Sequence, residues 1–88
     1  MDQLRKYKYR NTDGREWSRG FIILVAKLRT AGIVMDDLIQ RSIFFENVED
    51  SMLEWVNKTR DRLRSLILPS IIEIYEDFIN ATISRYYR

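Results

Sequence analysis

The side chains of this 88-residue chain whose types and spacing could do chemistry fall into two sets, carboxylates and bases. The carboxylates gather at Asp36-Asp37, at Glu46, Glu49 and Asp50, and at Glu73, Glu76 and Asp77. Glu73 and Asp77 stand four apart, so a helix places them on one face, where they could hold Mg²⁺ with water completing the shell. Ordinary solvated helix charge accounts for them more simply. The chain has no His and no Cys, which removes the commonest bases, nucleophiles and metal ligands, together with disulfides and zinc fingers. Gly14, Gly20 and Gly32 lie too far apart to form a phosphate-cradling loop. The expectation is a protein that is not an enzyme and uses neither a cofactor nor a metal.

The bases tell more. Arg5-Lys6-Tyr7-Lys8-Tyr9-Arg10 alternates charge with aromatic rings. Arg5, Lys6, Lys8 and Arg10 suit phosphates, and Tyr7 and Tyr9 suit stacking on unpaired bases. Arg15 and Arg19 extend this patch onto the next element. The competing reading is a soluble, frayed terminus whose tyrosines pack on the rest of the fold. A second basic run, Lys58 to Arg64, looks dense in sequence but divides in space. At 100° per residue, Met52, Trp55, Val56, Thr59, Leu63, Leu66 and Ile67 fill an apolar arc about 120° wide. Lys58 and Arg62 border one edge of that arc, and Arg60 and Arg64 border the other. Residues so placed often lay their stems over apolar surface, so Arg60 and Arg64 form only a weaker second patch.

Charge is segregated along the chain although the net is only +2. Met1 to Arg29 carries eight bases against three acids, and Met35 to Glu54 one base against six acids. Such a layout suits an anionic partner or pairing between copies.

These residues need helices to position them. Residues 1–13 read as a short basic arm ending in the turn signal Asn11-Thr12-Asp13-Gly14. A short strand at Tyr7 and Tyr9 is permitted, but no second strong strand follows. Trp17, Phe21, Leu24, Val25 and Leu28 recur at helical spacing and predict a helix over 15–31, with Gly32 as its C′ stop. Ile22, Ile23 and Ala26 lie on its opposite side, so this helix is expected to be buried all round, with a buried strand at Phe21 to Val25 as the alternative. A short helix over 36–45 follows, with Asp36-Asp37 at its positive end and Leu38, Ile39 and Ile43 inside. Helix–Gly32–helix has the outline of a helix-turn-helix, but two aspartates at the head of the second helix would be repelled between phosphates. Asn47 reads as the N-cap of a helix over 48–68, with Glu54 and Lys58 paired one turn apart. Pro69 then either kinks this helix or opens the next, over 70–86.

The fold class is thus all-α, a single domain of about four helices. In the last helix Ile71, Ile72, Ile74, Tyr75, Phe78, Ile79, Thr82, Ile83 and Tyr86 span about 180°, wider than the ~100° stripe of a helix lying on one neighbour. That arc is expected to be the interface of a homo-oligomer, most simply a homodimer, which would complete the core of a chain this small.

The first-choice function is a small dimeric nucleic-acid-binding accessory protein that contacts DNA or RNA through phosphates. The rival is a protein-interaction module, a regulator, inhibitor or assembly subunit, whose partner meets residues 71–86 or the acidic stretch Glu46 to Glu54. Peripheral binding to an anionic membrane uses the same arm. The longest uncharged apolar run, Gly20 to Ala26, is far short of the ~20 residues of a transmembrane helix. The polar start carries no signal-peptide pattern, so an intracellular location is expected. Asn57-Lys58-Thr59 and Asn80-Ala81-Thr82 match the glycosylation pattern by coincidence, since both fall within predicted helices.

Overall fold

The computed structural model describes residues 2–63 and 70–86, and within them all regular structure is helical. Five helices follow in order: α1 (Asp2–Lys6), α2 (Gly14–Thr30), α3 (Asp37–Val48), α4 (Leu53–Leu63) and α5 (Ile71–Tyr86). The side chains of Asp2, Leu63, Ser84, Arg85 and Tyr86 are not among those described.

Local chemistry sets most boundaries. Asp13 caps α2, its Oδ1 accepting from the backbone N–H groups of Arg15 (2.9 Å) and Glu16 (3.2 Å). At the other end Gly32 has φ 91°, its N–H bonds Arg29 O, and the Ile33 N–H bonds Leu28 O. Those two bonds are a Schellman motif, and the glycine at C′ is the residue that adopts positive φ without a Cβ clash. Asp36 caps α3 through the Ile39 N–H at 2.9 Å. Ser70 caps α5, its Oγ accepting from the Glu73 N–H at 3.3 Å. The alternatives drawn for Pro69 lie outside the described residues.

α2 and α5 run antiparallel. Thr82 sits against Gly14, Trp17 meets Phe78, and Phe21 meets Tyr75, so positions rising along α2 match positions falling along α5. α3 crosses beneath them and places Phe44, with no exposed surface, at the hub of the core. Its ring lies 5.0–6.2 Å from those of Tyr75, Phe78, Phe21, Trp17 and Trp55, in edge or tilted contacts. Aromatic pairs at such separations add to the area term of burial. Tyr75 carries this cost: its hydroxyl is buried without a partner, and burial, aided by the charge of Asp37, pushes its ionisation well above the ordinary tyrosine range.

Four expectations are corrected. The N-terminal residues are not an arm: α1 is folded, with Leu4 and Tyr9 in the core. Asn47 is not an N-cap: α3 continues through it, and α4 starts only at Leu53, because the Asn47 side chain has a buried partner elsewhere. α2 is not buried all round: Ile22 and Ile23 remain 46% and 48% exposed. In α3, Leu38 and Ile39 face solvent, and Gln40, Ile43, Phe44, Asn47 and Val48 form the inner stripe. The Asp36 cap sets the phase of that stripe, and the buried Gln40 Nε2 donates to Met35 O at 3.0 Å.

Candidate nucleic-acid interface

The N-terminal segment is tied to the C-terminal end of α3 by backbone and side-chain bonds. Asn47 Nδ2 donates to Leu4 O at 2.7 Å, and the Tyr9 N–H donates to Asn47 O at 2.9 Å. Ser51 Oγ donates to Tyr9 O at 2.8 Å. Leu4 fills the core beneath α1, and Arg5 pairs with Glu46 at 3.3 Å.

Both sequence-predicted stacking residues are engaged within the fold. Tyr9 is 4% exposed, edge-on to Trp17 and Phe78, with its hydroxyl donating to Thr12 O at 2.8 Å. Tyr7 is half-buried, stacked on Trp17 with ring centres 5.2 Å apart, and donates its hydroxyl to Trp17 O at 3.1 Å. Burial raises the ionisation of this phenol as well, which keeps it a donor. Gly20 makes this seat possible: a Cβ there would run into the Tyr7 hydroxyl and its ring carbon.

The remaining predicted bases separate by whether they are already paired. Arg60 pairs with Glu49 at 3.7 Å and lies over the Phe45 ring at 5.6 Å. Lys58 pairs with Glu54, and Arg62 with Asp77. Arg64 lies outside the described residues. By contrast Lys6, Lys8, Arg10, Arg15 and Arg19 take part in no ion pair among the described residues. All are exposed except Lys8, which is half-buried. Tyr7 seated over Gly20 and Trp17 brings Lys6 and Lys8 beside the first half of α2. Sequence reasoning missed Lys27 and Arg29, which are also exposed and take part in no ion pair among the described residues. Placing α2 at 100° per residue would have found them, since they share the outward half of the helix with Arg15 and Arg19. Glu16 is the one acid on α2.

Between the N-terminal segment and α2 lies an open depression of about 460 Å³, lined in part by Lys8, Arg10, Thr12, Asp13 and Glu16. A second, of about 220 Å³, lies between α4 and α5 beside Thr59, Arg62, Glu73 and Asp77. Asp77 accepts from Trp55 Nε1 at 3.0 Å as well as from Arg62, so it is occupied as a structural acceptor. Among the described residues, no group of three or more acidic side chains converges as metal ligands, and no helix is long and apolar enough to cross a membrane.

The predicted interface on α5 divides. Ile74, Tyr75, Phe78 and Thr82 are buried in the chain's own core, so the broad arc meets α2, α3 and α4 rather than a second copy. Ile71 and Ile79 are half-buried, and Ile72 and Ile83 are 63% and 42% exposed. The Tyr86 side chain is outside the described set.

Comparison with known proteins finds no matching family model, no similar curated protein and no similar solved structure.

Proposed function

We propose that this chain is a non-enzymatic nucleic-acid-binding protein that contacts phosphates through α2 and the N-terminal segment and works as a dimer. One observation carries the reading. The bases of α1 and α4 that pair, Arg5, Lys58, Arg60 and Arg62, spend their charge on neighbouring carboxylates. Among the described residues those of α2 and residues 6–10 do not, and Tyr7 stacked on Trp17 sets the segment beside the first half of α2. A field left uncompensated on one face attracts a polyanion and releases its counterions on binding. The dimer rests on the exposed isoleucines of α5, and the dimer would present two such faces at once, which raises avidity. If that stripe covers a different protein, the rival reading as an interaction module takes over.

Anisotropy of a labelled oligonucleotide tests the assignment. Arg15→Glu/Arg19→Glu should weaken binding by at least about tenfold, the equivalent of ~1.4 kcal/mol. Lys58→Glu, which changes a base already paired in an exposed position, should leave binding within about twofold. Equal losses from both variants, or none from the first, would remove the basic face from the function.

A further inference from the structure

Independently of the nucleic-acid reading, we infer that the corner where α2 turns into α3 is a docking surface for a second copy of this chain, weaker than the α5 contact and held in register by its own charges. Val34 and Leu38 are 75% and 65% exposed, more than any other large apolar side chain among those described, and Ile33 and Ile39 are 40% and 45% exposed. Over residues 29–39 only Met35 and Ile39's neighbour in the loop-to-helix stretch depart little from this pattern, since Met35 alone is buried. The four side chains belong to one place. Two bonds, from the Gly32 N–H to Arg29 O and from the Ile33 N–H to Leu28 O, fold Ile33 back on the last turn of α2. The Asp36 cap then opens α3, with Leu38 and Ile39 in its first turn. Val34 and Leu38 stand four residues apart, so the chain holds them within about 14 Å of each other. Large apolar side chains exposed together, unlike ones scattered singly, mark a surface that another molecule covers.

The charges of the corner select its occupant. Lys27 and Arg29 end α2, Asp36 and Asp37 head α3, and all four are exposed. None of them takes part in an ion pair among the described residues, although the bases and the acids are close in sequence. A two-fold contact sets residue i of one copy against residue j of the other, and j against i. The corner carries both halves of such a pairing, so the bases of each copy can meet the acids of the other. Exposed pairs add little strength, and they fix register while the apolar side chains supply the attraction. An anionic lipid surface or a nucleic acid would instead repel Asp36 and Asp37. A standard interface takes about 800 Å² and 20–30 residues from each partner, so a corner of this size makes a weak contact. It acts where copies are already crowded, joining α5 dimers into larger assemblies rather than forming the dimer itself.

Sedimentation equilibrium of the intact chain, at low micromolar and again near millimolar concentration, tests the contact. The weight-average mass should rise about twofold between the two. Val34→Ser/Leu38→Ser, which trims exposed side chains and should keep the helical content, should hold the mass constant. Lys27→Glu/Arg29→Glu should also lose the rise, since acids then face acids, and an equimolar mixture with Asp37→Lys should regain it. A parent mass constant with concentration overturns the proposal and leaves the corner to a different protein. A rise that survives Val34→Ser/Leu38→Ser places the self-association elsewhere and overturns it too. So does a mixture that fails to regain the rise, because the pairing of unlike charges is what assigns the corner to a second copy. The α5 dimer is tested separately, by the mass at low micromolar concentration.

Discussion

Asn47 is the residue on which the candidate site depends most directly. Its side-chain N–H group satisfies Leu4 O, its carbonyl accepts the Tyr9 N–H, and it is only 1% exposed. Replacing it by Ala removes the shorter of two bonds on the Leu4 carbonyl, which keeps the Tyr7 N–H at 3.2 Å, at a cost of about 1.5 kcal/mol. Urea unfolding of Asn47→Ala should show that loss, which for a domain of this size lowers Tm by roughly 10 °C. Because Lys6, Lys8 and Arg10 ride on the same segment, nucleic-acid binding should weaken in parallel. A variant as stable as the parent would mean that the N-terminal segment is held by something other than Asn47.

At the scale of elements, α5 carries two apolar stripes. Its inner stripe, Ile74, Phe78 and Thr82, closes the core against α2 and α3, and its outer stripe retains Ile72 and Ile83. The helical phases bring this outer stripe beside Ile22 on α2, since Thr82 and Tyr75 face α2 and positions 72, 79 and 83 lie next to them around the helix. Apolar area of this kind, flanked by Glu73 and Glu76 on α5, suits a self-complementary contact. Sedimentation of the parent chain should give a dimer at micromolar concentration, and Ile72→Glu/Ile83→Glu a folded monomer. A parent that sediments as a monomer would contradict the dimer.

The same elements show what the sequence made legible. The Gly32 stop and the Glu54–Lys58 pair were readable because each is decided within one turn of helix, whereas Asp36 was read for its charge and not as the cap of α3. The 180° arc of α5 was visible too, but its partners were not. The fold of residues 2–10 was hidden because its bonds run to Asn47 and Ser51, more than forty positions away. An exposed-looking Tyr-Lys-Tyr pattern carries no sign that Trp17 and Gly20 form a seat for one of its rings. For the same reason the candidate site was half legible: Lys6, Arg10, Arg15 and Arg19 are exposed and Lys8 is half-buried, none of them in an ion pair among the described residues, while Tyr7 and Tyr9 became packing.

At the scale of the whole molecule, the principal extents of 40 × 32 × 18 Å describe a slab about two helices thick. Among the described residues, the bases of this body divide by pairing. Arg5, Arg60 and Arg62 are paired with acids of α3, Glu49 and α5, and the bases along α2 take part in no ion pair among the described residues. The shortest route to testing this division is the salt dependence of binding, because each phosphate neutralised contributes about −0.9 to the slope of log K against log salt. The measurement is that slope for a DNA duplex, compared between the parent chain and Arg15→Gln/Arg19→Gln. Two lost phosphate contacts should make the slope shallower by about 2 and leave the helical content unchanged. An identical slope in the two proteins would show that α2 does not touch the phosphates, and would contradict the assignment of this face to nucleic acid.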